Sequence, residues 1–232
     1  MKRSLKHSLS IFVQGWMGSV LIALLITTSF KSAIADWYVV PTGSMKPTIL
    51  EGDRIFTNKL AYDLKVPYTT IRIAGWDEPK RGDIVVFKSP TDGTRLVKRI
   101  VGIPGDTVAM HNNRLSINGE ALQYTAINQE DAGRSASFSD TGEKLSIEDL
   151  TGHKHISMVT PYLPSIRSFA PVSIPDGHFF MMGDNRDNSA DSRYFGFVDR
   201  KEIQGRATAI VISLDLQHSY QPRWPRFFTQ LM

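Results

Sequence analysis

The chain has 232 residues, 41% of them hydrophobic and 22% charged, with no cysteine and a formal net charge of +4. That balance belongs to a folded protein and excludes disorder throughout; the missing cysteine excludes a disulfide framework, a thiol nucleophile and thiolate zinc sites. The Lys and Arg surplus is mild and scattered, which argues against a nucleic-acid surface and suits attraction to anionic lipid head groups equally well.

Residues 1–8, MKRSLKHS, carry Lys2, Arg3 and Lys6, and no acid precedes Asp36. They read as a cytoplasmic N-terminus. The uncharged run 9–30 follows. At about 1.5 Å per residue it can cross a hydrocarbon core of roughly 30 Å. The positive flank then stays inside and the rest of the chain lies outside. Ala33-Ile34-Ala35 has the A-x-A form of a secretory cleavage site. The run is longer than the roughly 7–15 apolar residues of a signal peptide, although Gln14, Gly15, Gly18 and Ser19 dilute its first half. A retained transmembrane anchor over 9–30 is therefore favoured over a signal cut after Ala35. Either reading exports the remainder.

From residue 36 the pattern is β. DWYVVP is aromatic and β-branched, GDRIFTNKLAY and RGDIVVFKSP read as strands, and the stretch 94–122 alternates strand and turn, with Asn112-Asn113 suited to a tight hairpin. This makes 36–122 the first part of a β-domain. Residues 123–173 are polar and weakly periodic and read as an inserted second lobe, part of it loop. The β pattern returns over 174–216, where EIQGRATAIVISLDL is a strong strand. The tail 217–232 is basic and aromatic. It reads as a loose terminus, with interfacial membrane contact as the alternative. The expected architecture is mainly β: one N-terminal transmembrane helix, then an extracytoplasmic β-sheet domain carrying an inserted lobe.

PTGSMKPTI, residues 41–49, places a hydroxyl-rich turn just beyond the apolar run. A serine attacks a carbonyl only when a base removes its proton, and histidine is the usual base. No histidine here sits in a Gly-x-Ser-x-Gly or similar setting. The HKH at 153–155 has no carboxylate at a telling spacing and reads as a solvated loop. A neutral lysine can replace histidine. In RLVKRIV, read as a strand, Leu96, Lys98 and Ile100 share one face, and Arg95, Val97, Arg99 and Val101 share the other. Lys98 between apolar neighbours is either a desolvated base or a lysine snorkelling to an edge. Ser44 is either a nucleophile or an ordinary turn serine. Gly43 permits close approach of a substrate, and Thr42 with the Ser44 N–H could cradle an oxyanion.

GDNRDNSADSRYFG, residues 183–196, is a loop that Asp–Arg pairs can staple. Together with PTGSMKPT and VKRIVGIPGD, in that order along the chain, it closely resembles the bacterial signal peptidase I family, membrane-anchored serine peptidases with a Ser/Lys dyad. The resemblance spans residues 41–196, and the tail RWPRFF resembles the family's end. It implies Ser44 as nucleophile, Lys98 as general base, Ser189 as the hydroxyl that orients the lysine, and Thr42 as oxyanion support. The family often has serine at the position of Thr42; threonine keeps the hydroxyl. Asp184, Arg186, Asp191 and Arg193 take structural roles, tied to the base strand through Arg99.

The resemblance further implies that exported preproteins bind extended beside Val40 and Val97. Val40, Met45, Ile49 and Val97 would line shallow pockets that admit alanine, matching small-x-small cleavage sites. Turnover would pass through an acyl-enzyme on Ser44, without metal or cofactor. The implied location is the bacterial cytoplasmic membrane, single-pass, with lipid and preprotein as partners. The sequence is silent on oligomeric state. Ala33-Ile34-Ala35 could itself be cut by a neighbouring copy. Two alternatives stay open: a Ser/Lys peptidase dedicated to one exported substrate such as a pilin, or an inactive membrane-tethered peptide-binding paralogue.

Overall fold

A computed structural model describes residues 15–127 and 142–231. Its elements run α1 (Trp16–Ala33), β1 (Ala35–Val39), β2 (Asp53–Asn58), β3 (Asp63–Lys65), β4 (Arg72–Gly75), β5 (Ile84–Lys88), β6 (Arg95–Gly102), β7 (Thr107–His111), β8 (Arg114–Ile117) and β9 (Glu120–Ala121). There follow β10 (Gln123–Ile127), β11 (Lys144–Leu150), β12 (His153–Val159), β13 (Phe169–Ser173), β14 (His178–Met182), α2 (Ser192–Phe195), β15 (Val198–Asp199), β16 (Ile203–Asp215), β17 (Gln221–Pro222) and β18 (Thr229–Gln230).

The protein is mainly β. The largest sheet has the order β1-β2-β16-β5-β6-β14-β15, with β17 and β18 also pairing with β16. β5 is a central strand and is apolar on both faces for that reason. Ile84 and Val86 join Val40, Met45, Ile49, Ile55, Ala207 and Ile210 in one core, while Val85 and Phe87 join Tyr62, Ile100, Phe179, Met181, Val198 and Ile203 in another. Burying one such side chain contributes roughly 1.5–3 kcal/mol, so β5 and its two neighbours form the rigid base on which the candidate site rests.

A second sheet, β13-β7-β8-β9, packs on the far end of β6 and β14 through Val101, Val108, Leu115, Phe180 and Met182. Its β7–β8 hairpin turns at Asn112 and Asn113, both at positive φ, 48° and 62°, the left-handed pair that a two-residue turn requires. β13 lies within the 123–173 stretch but pairs with β7. Most of the described remainder of that stretch is a third sheet, β10-β11-β12, while residues 128–141 lie outside the described residues.

Three expectations change. The HKH stretch is not a solvated loop: His153–Val159 is a strand, and His155 is buried where β12 meets the loop after β14. The alternation of β12 turns His155 inward and Lys154 outward, while His153 is exposed at the start of the strand. The tail is not loose either. Buried Arg226 donates to Asp53 Oδ2 at 2.6 Å and to the Thr48 carbonyl at 3.0 Å, and β18 pairs with β16. A buried guanidinium with two acceptors holds its segment firmly. The third concerns the N-terminus. Residues 9–14 of the anchor lie outside the described residues, and among the described residues no helix is long and apolar enough to cross a membrane.

α1 exposes Leu21, Ile22, Leu24, Leu25 and Ile26 and is followed at once by β1. Ala35 pairs with Asn58, and the Lys59 N–H donates to the Ile34 carbonyl at 2.9 Å. The A-x-A segment thus runs from the end of α1 into β1, where Ala35 is held in the sheet, and a second copy could cut after Ala35 only once β1 peels away.

Candidate active site

Ser44 lies in a 3₁₀ turn, Gly43–Met45, whose three residues are all buried. Met45 seats the turn on the core, and Thr42 precedes it in extended conformation, φ −129°. The loop after β14 grips this turn from the other side. The Asn185 N–H donates to the Ser44 carbonyl and Asn185 Nδ2 to the Gly43 carbonyl, both at 3.1 Å. Gly183 makes this approach possible, since a Cβ there would collide with the Ser44 carbonyl and Ser189 Oγ. The space beside Gly43 is different: a Cβ there would meet the Lys46–Glu51 ion pair. Its missing side chain accommodates that pair.

Lys98 projects from β6, and its Nζ lies 2.7 Å from Ser44 Oγ and 3.0 Å from the Val97 carbonyl. It is 3% exposed. Burial lowers it to about 8 from the ordinary 10.5, against the opposing pull of Asp191 and Asp184. Those two carboxylates are already engaged by arginines. Arg193 donates to Asp191 Oδ1 at 2.7 Å and to Oδ2 at 2.8 Å; Arg99 donates to Asp184 Oδ1 at 2.9 Å and to Oδ2 at 2.8 Å. Desolvation therefore dominates at Lys98.

Asp184 is the hub of the buried charge cluster behind Ser44. Burial alone would raise it, but Arg99, His155 and Thr48 together hold it at about 2. His155 Nε2 lies 3.7 Å from both Asp184 Oδ1 and Glu148 Oε1. Burial holds His155 down at about 4, since Arg99 and Arg186 already neutralise those carboxylates. Arg186 pairs with Glu148 at 2.7 Å. The second lobe thus contributes Glu148 and His155 to the rear of the site, and the Arg186 N–H bonds the Met158 carbonyl of β12 at 2.8 Å. On the loop's next stretch, Asp191 also accepts the Gly183 N–H at 3.1 Å.

A cavity of about 380 Å³ opens at the dyad, lined by Thr42, Ser44, Leu96, Lys98, Asn188, Ser189, Ala190 and Tyr194, with Asp187 behind. Thr42 and Ser189 thus reach the site. The buried Ser189 Oγ has no hydrogen-bond partner among the described residues, so the expected bond from Ser189 to Lys98 is not made; Lys98 uses Ser44 and Val97 instead. None of the four residues expected as pocket walls lines this cavity. Val40, Met45 and Ile49 are buried in the core under the turn, with Val97 packed against them, because apolar side chains on the inner face of the sheet are drawn into the core. Beside the dyad, β14 pairs with β6 only from Arg99 onward, so that among the described residues no strand pairs with Arg95–Lys98 on that side.

The roles of several contributors were not legible in the sequence. Thr48 and Asn185 lie within the motifs and His155 within the HKH stretch, but these residues and Glu148 act through partners far along the chain, and only the fold brings them together. Among the described residues, no group of three or more His, Asp and Glu side chains could hold a metal ion.

Comparison with known proteins places the chain in context. Residues 13–212 match the family model described as signal peptidase, peptidase S26. The chain is 36% identical to signal peptidase I of Pseudomonas aeruginosa, over 82% of this chain and 69% of that protein. It is 34% identical to signal peptidase I P of Bacillus subtilis subsp. natto, over 86% of this chain and 89% of that protein. A solved signal peptidase I from Enterococcus faecalis is 30% identical, covering 57% of this chain and 98% of its own, with a TM-score of 0.35.

Proposed function

Since the chain belongs to the signal peptidase family, peptidase S26, we propose that it removes signal peptides from exported preproteins with Ser44 as nucleophile and Lys98 as general base. The observation that carries this assignment is the 2.7 Å separation of Lys98 Nζ and Ser44 Oγ in a buried setting. With Lys98 at about 8, roughly a tenth of the amines are neutral at pH 7, about 300 times the share of an unperturbed lysine. A neutral amine keeps two N–H bonds. One can stay on the Val97 carbonyl while the lone pair faces the serine hydroxyl.

The steps follow from that geometry. Ser44 Oγ attacks the scissile carbonyl carbon as its proton passes to Lys98 Nζ. The tetrahedral oxyanion lies toward the Ser44 N–H, which begins a helical turn without an intrahelical acceptor, and toward the Thr42 hydroxyl. Lys98 returns the proton to the departing amine as the peptide bond breaks. Water, activated by the same amine, then hydrolyses the acyl-enzyme and regenerates Ser44. Ser189, which lines the same cavity, is the hydroxyl proposed to accept a bond from Lys98 once the ammonium forms.

An extended cleavage segment fits along the free Arg95–Lys98 edge, where main-chain pairing provides affinity without regard to side chain. The apolar core beneath the turn, Val40, Met45, Ile49 and Val97, limits the depth available to a side chain at the cut and so favours alanine. Anchoring by 9–30 keeps the domain at the membrane surface where preproteins emerge. The all-round apolar exposure of α1 supports that reading.

The direct test is cleavage of a preprotein with an A-x-A site in detergent by the intact chain, Ser44→Ala and Lys98→Ala. Cutting after the second alanine by the intact chain alone is the expected result. Full-rate cutting by Lys98→Ala would remove the lysine from the mechanism.

A further inference from the structure

Away from the dyad, a cavity of about 610 Å³ lies between the end of α1, the β3–β4 hairpin and the end of β5. Its lining includes Lys59, Lys65, Lys88, Arg95 and Lys201, with Glu202 the one carboxylate among them. Such a gathering of like charge is unfavourable unless an anion sits among it. Some of these cations are partly satisfied. Lys201 pairs with Asp199 at 2.7 Å, Lys59 lies 3.5 Å from Asp36, and Lys65 donates to the carbonyls of Ile203 and Lys201. Arg95 donates to Gln204 and stacks on Tyr38 at 4.2 Å, and the Lys88 side chain is exposed at the rim.

We propose that this cavity binds the phosphate of an anionic phospholipid head group. The cavity is cationic within, yet the exposed Tyr68 and Ile71 form part of its wall, and so does Ala33 at the last turn of apolar α1. A phosphate tethered to acyl chains meets both chemistries at once: the anion enters among the cations while the chains lie against the apolar wall and helix. Free phosphate would leave the apolar part unused. An acidic segment of the preprotein is the less suitable occupant: Arg95 stands where the substrate edge begins, but the cavity shares no lining residue with the one at Ser44 and Lys98. The inference rests on retention of α1, but not on the roles assigned to Ser44 and Lys98.

The experiment uses the full chain, extracted from vesicles of phosphatidylcholine with or without phosphatidylglycerol, with retained lipid read by native mass spectrometry. Lys88→Gln/Lys201→Gln is compared with Lys144→Gln/Lys154→Gln, which makes the same charge change on exposed positions of the second lobe. Phosphatidylglycerol should stay with the intact chain and the second variant and bind about 30-fold more weakly to the first, at the roughly tenfold or less per cation expected of surface electrostatics. Cleavage of a short peptide in neutral detergent should be the same in all three, which separates this result from any failure of the catalytic assignment. Equal retention by both variants would overturn the proposal. So would displacement of the lipid by equimolar inorganic phosphate. A raised KM for peptides acidic beyond the scissile bond, with lipid retention unchanged, would assign the cavity to the preprotein instead.

Discussion

The two faces of β6 treat a buried cation in opposite ways. On one face Lys98 lies in a dry setting with only a hydroxyl and a carbonyl within reach, and burial lowers it to about 8. On the other, its neighbour Arg99 enters an equally buried region but meets Asp184 with two parallel hydrogen bonds. A lysine can give up its proton when desolvated; a guanidinium cannot, and it requires a counter-charge. One strand therefore presents a base to the cavity and an ion pair to the frame behind it. The lesson is that burial alone does not decide a residue's role: the partner supplied by the second element does.

Exchange of each residue for methionine breaks the comparison most strongly. Lys98→Met should reduce cleavage on the order of 10⁴-fold while thermal stability holds or rises, because the lost amine was held at a cost of about 3 kcal/mol to its charged form. Arg99→Met should do the reverse at first order. It strands Asp184 in the interior and costs about 3–5 kcal/mol of stability, with part recovered by adding Asp184→Asn. Chemical denaturation of the three variants beside peptide turnover checks both.

Two effects of pH sharpen the same contrast. On the lysine face, kcat/KM should climb about tenfold per pH unit at low pH and level off above about 8; a profile already flat at pH 6 would contradict a lysine base. On the ionic face, two groups set the acid stability. His155 is held at about 4, below its ordinary 6.5, so the unfolded chain takes up a proton first. Stability is full above 6.5 and falls by on the order of 3 kcal/mol as pH drops to 4. Asp184, held at about 2 instead of 3.8, adds a further loss only between those two values. His155→Gln should flatten the first phase and shrink the second, since His155 helps hold Asp184 down, and urea melts from pH 7 to pH 2 would follow both.

Much of this molecule can be read directly from the chain. The strands of the main sheet, the Asn112-Asn113 turn and the placement of Ser44 in a turn and Lys98 on a strand follow from local pattern, because alternation and turn chemistry act over a few residues. The three motifs carry the family because each is a compact run of residues. What the chain could not convey is which buried groups meet. His155 looked solvated because its carboxylates, Glu148 and Asp184, come from β11 and from the loop after β14. The tail looked loose because its anchor Asp53 lies at the start of β2. Val40, Met45 and Ile49 looked like pocket walls, yet the closing of the sheet draws them beneath the turn. Local sequence determined the elements and the chemical types at the dyad; the tertiary structure alone decided which cation was made easier to deprotonate and which was paired, since that depends on distances and desolvation between segments far apart in the chain.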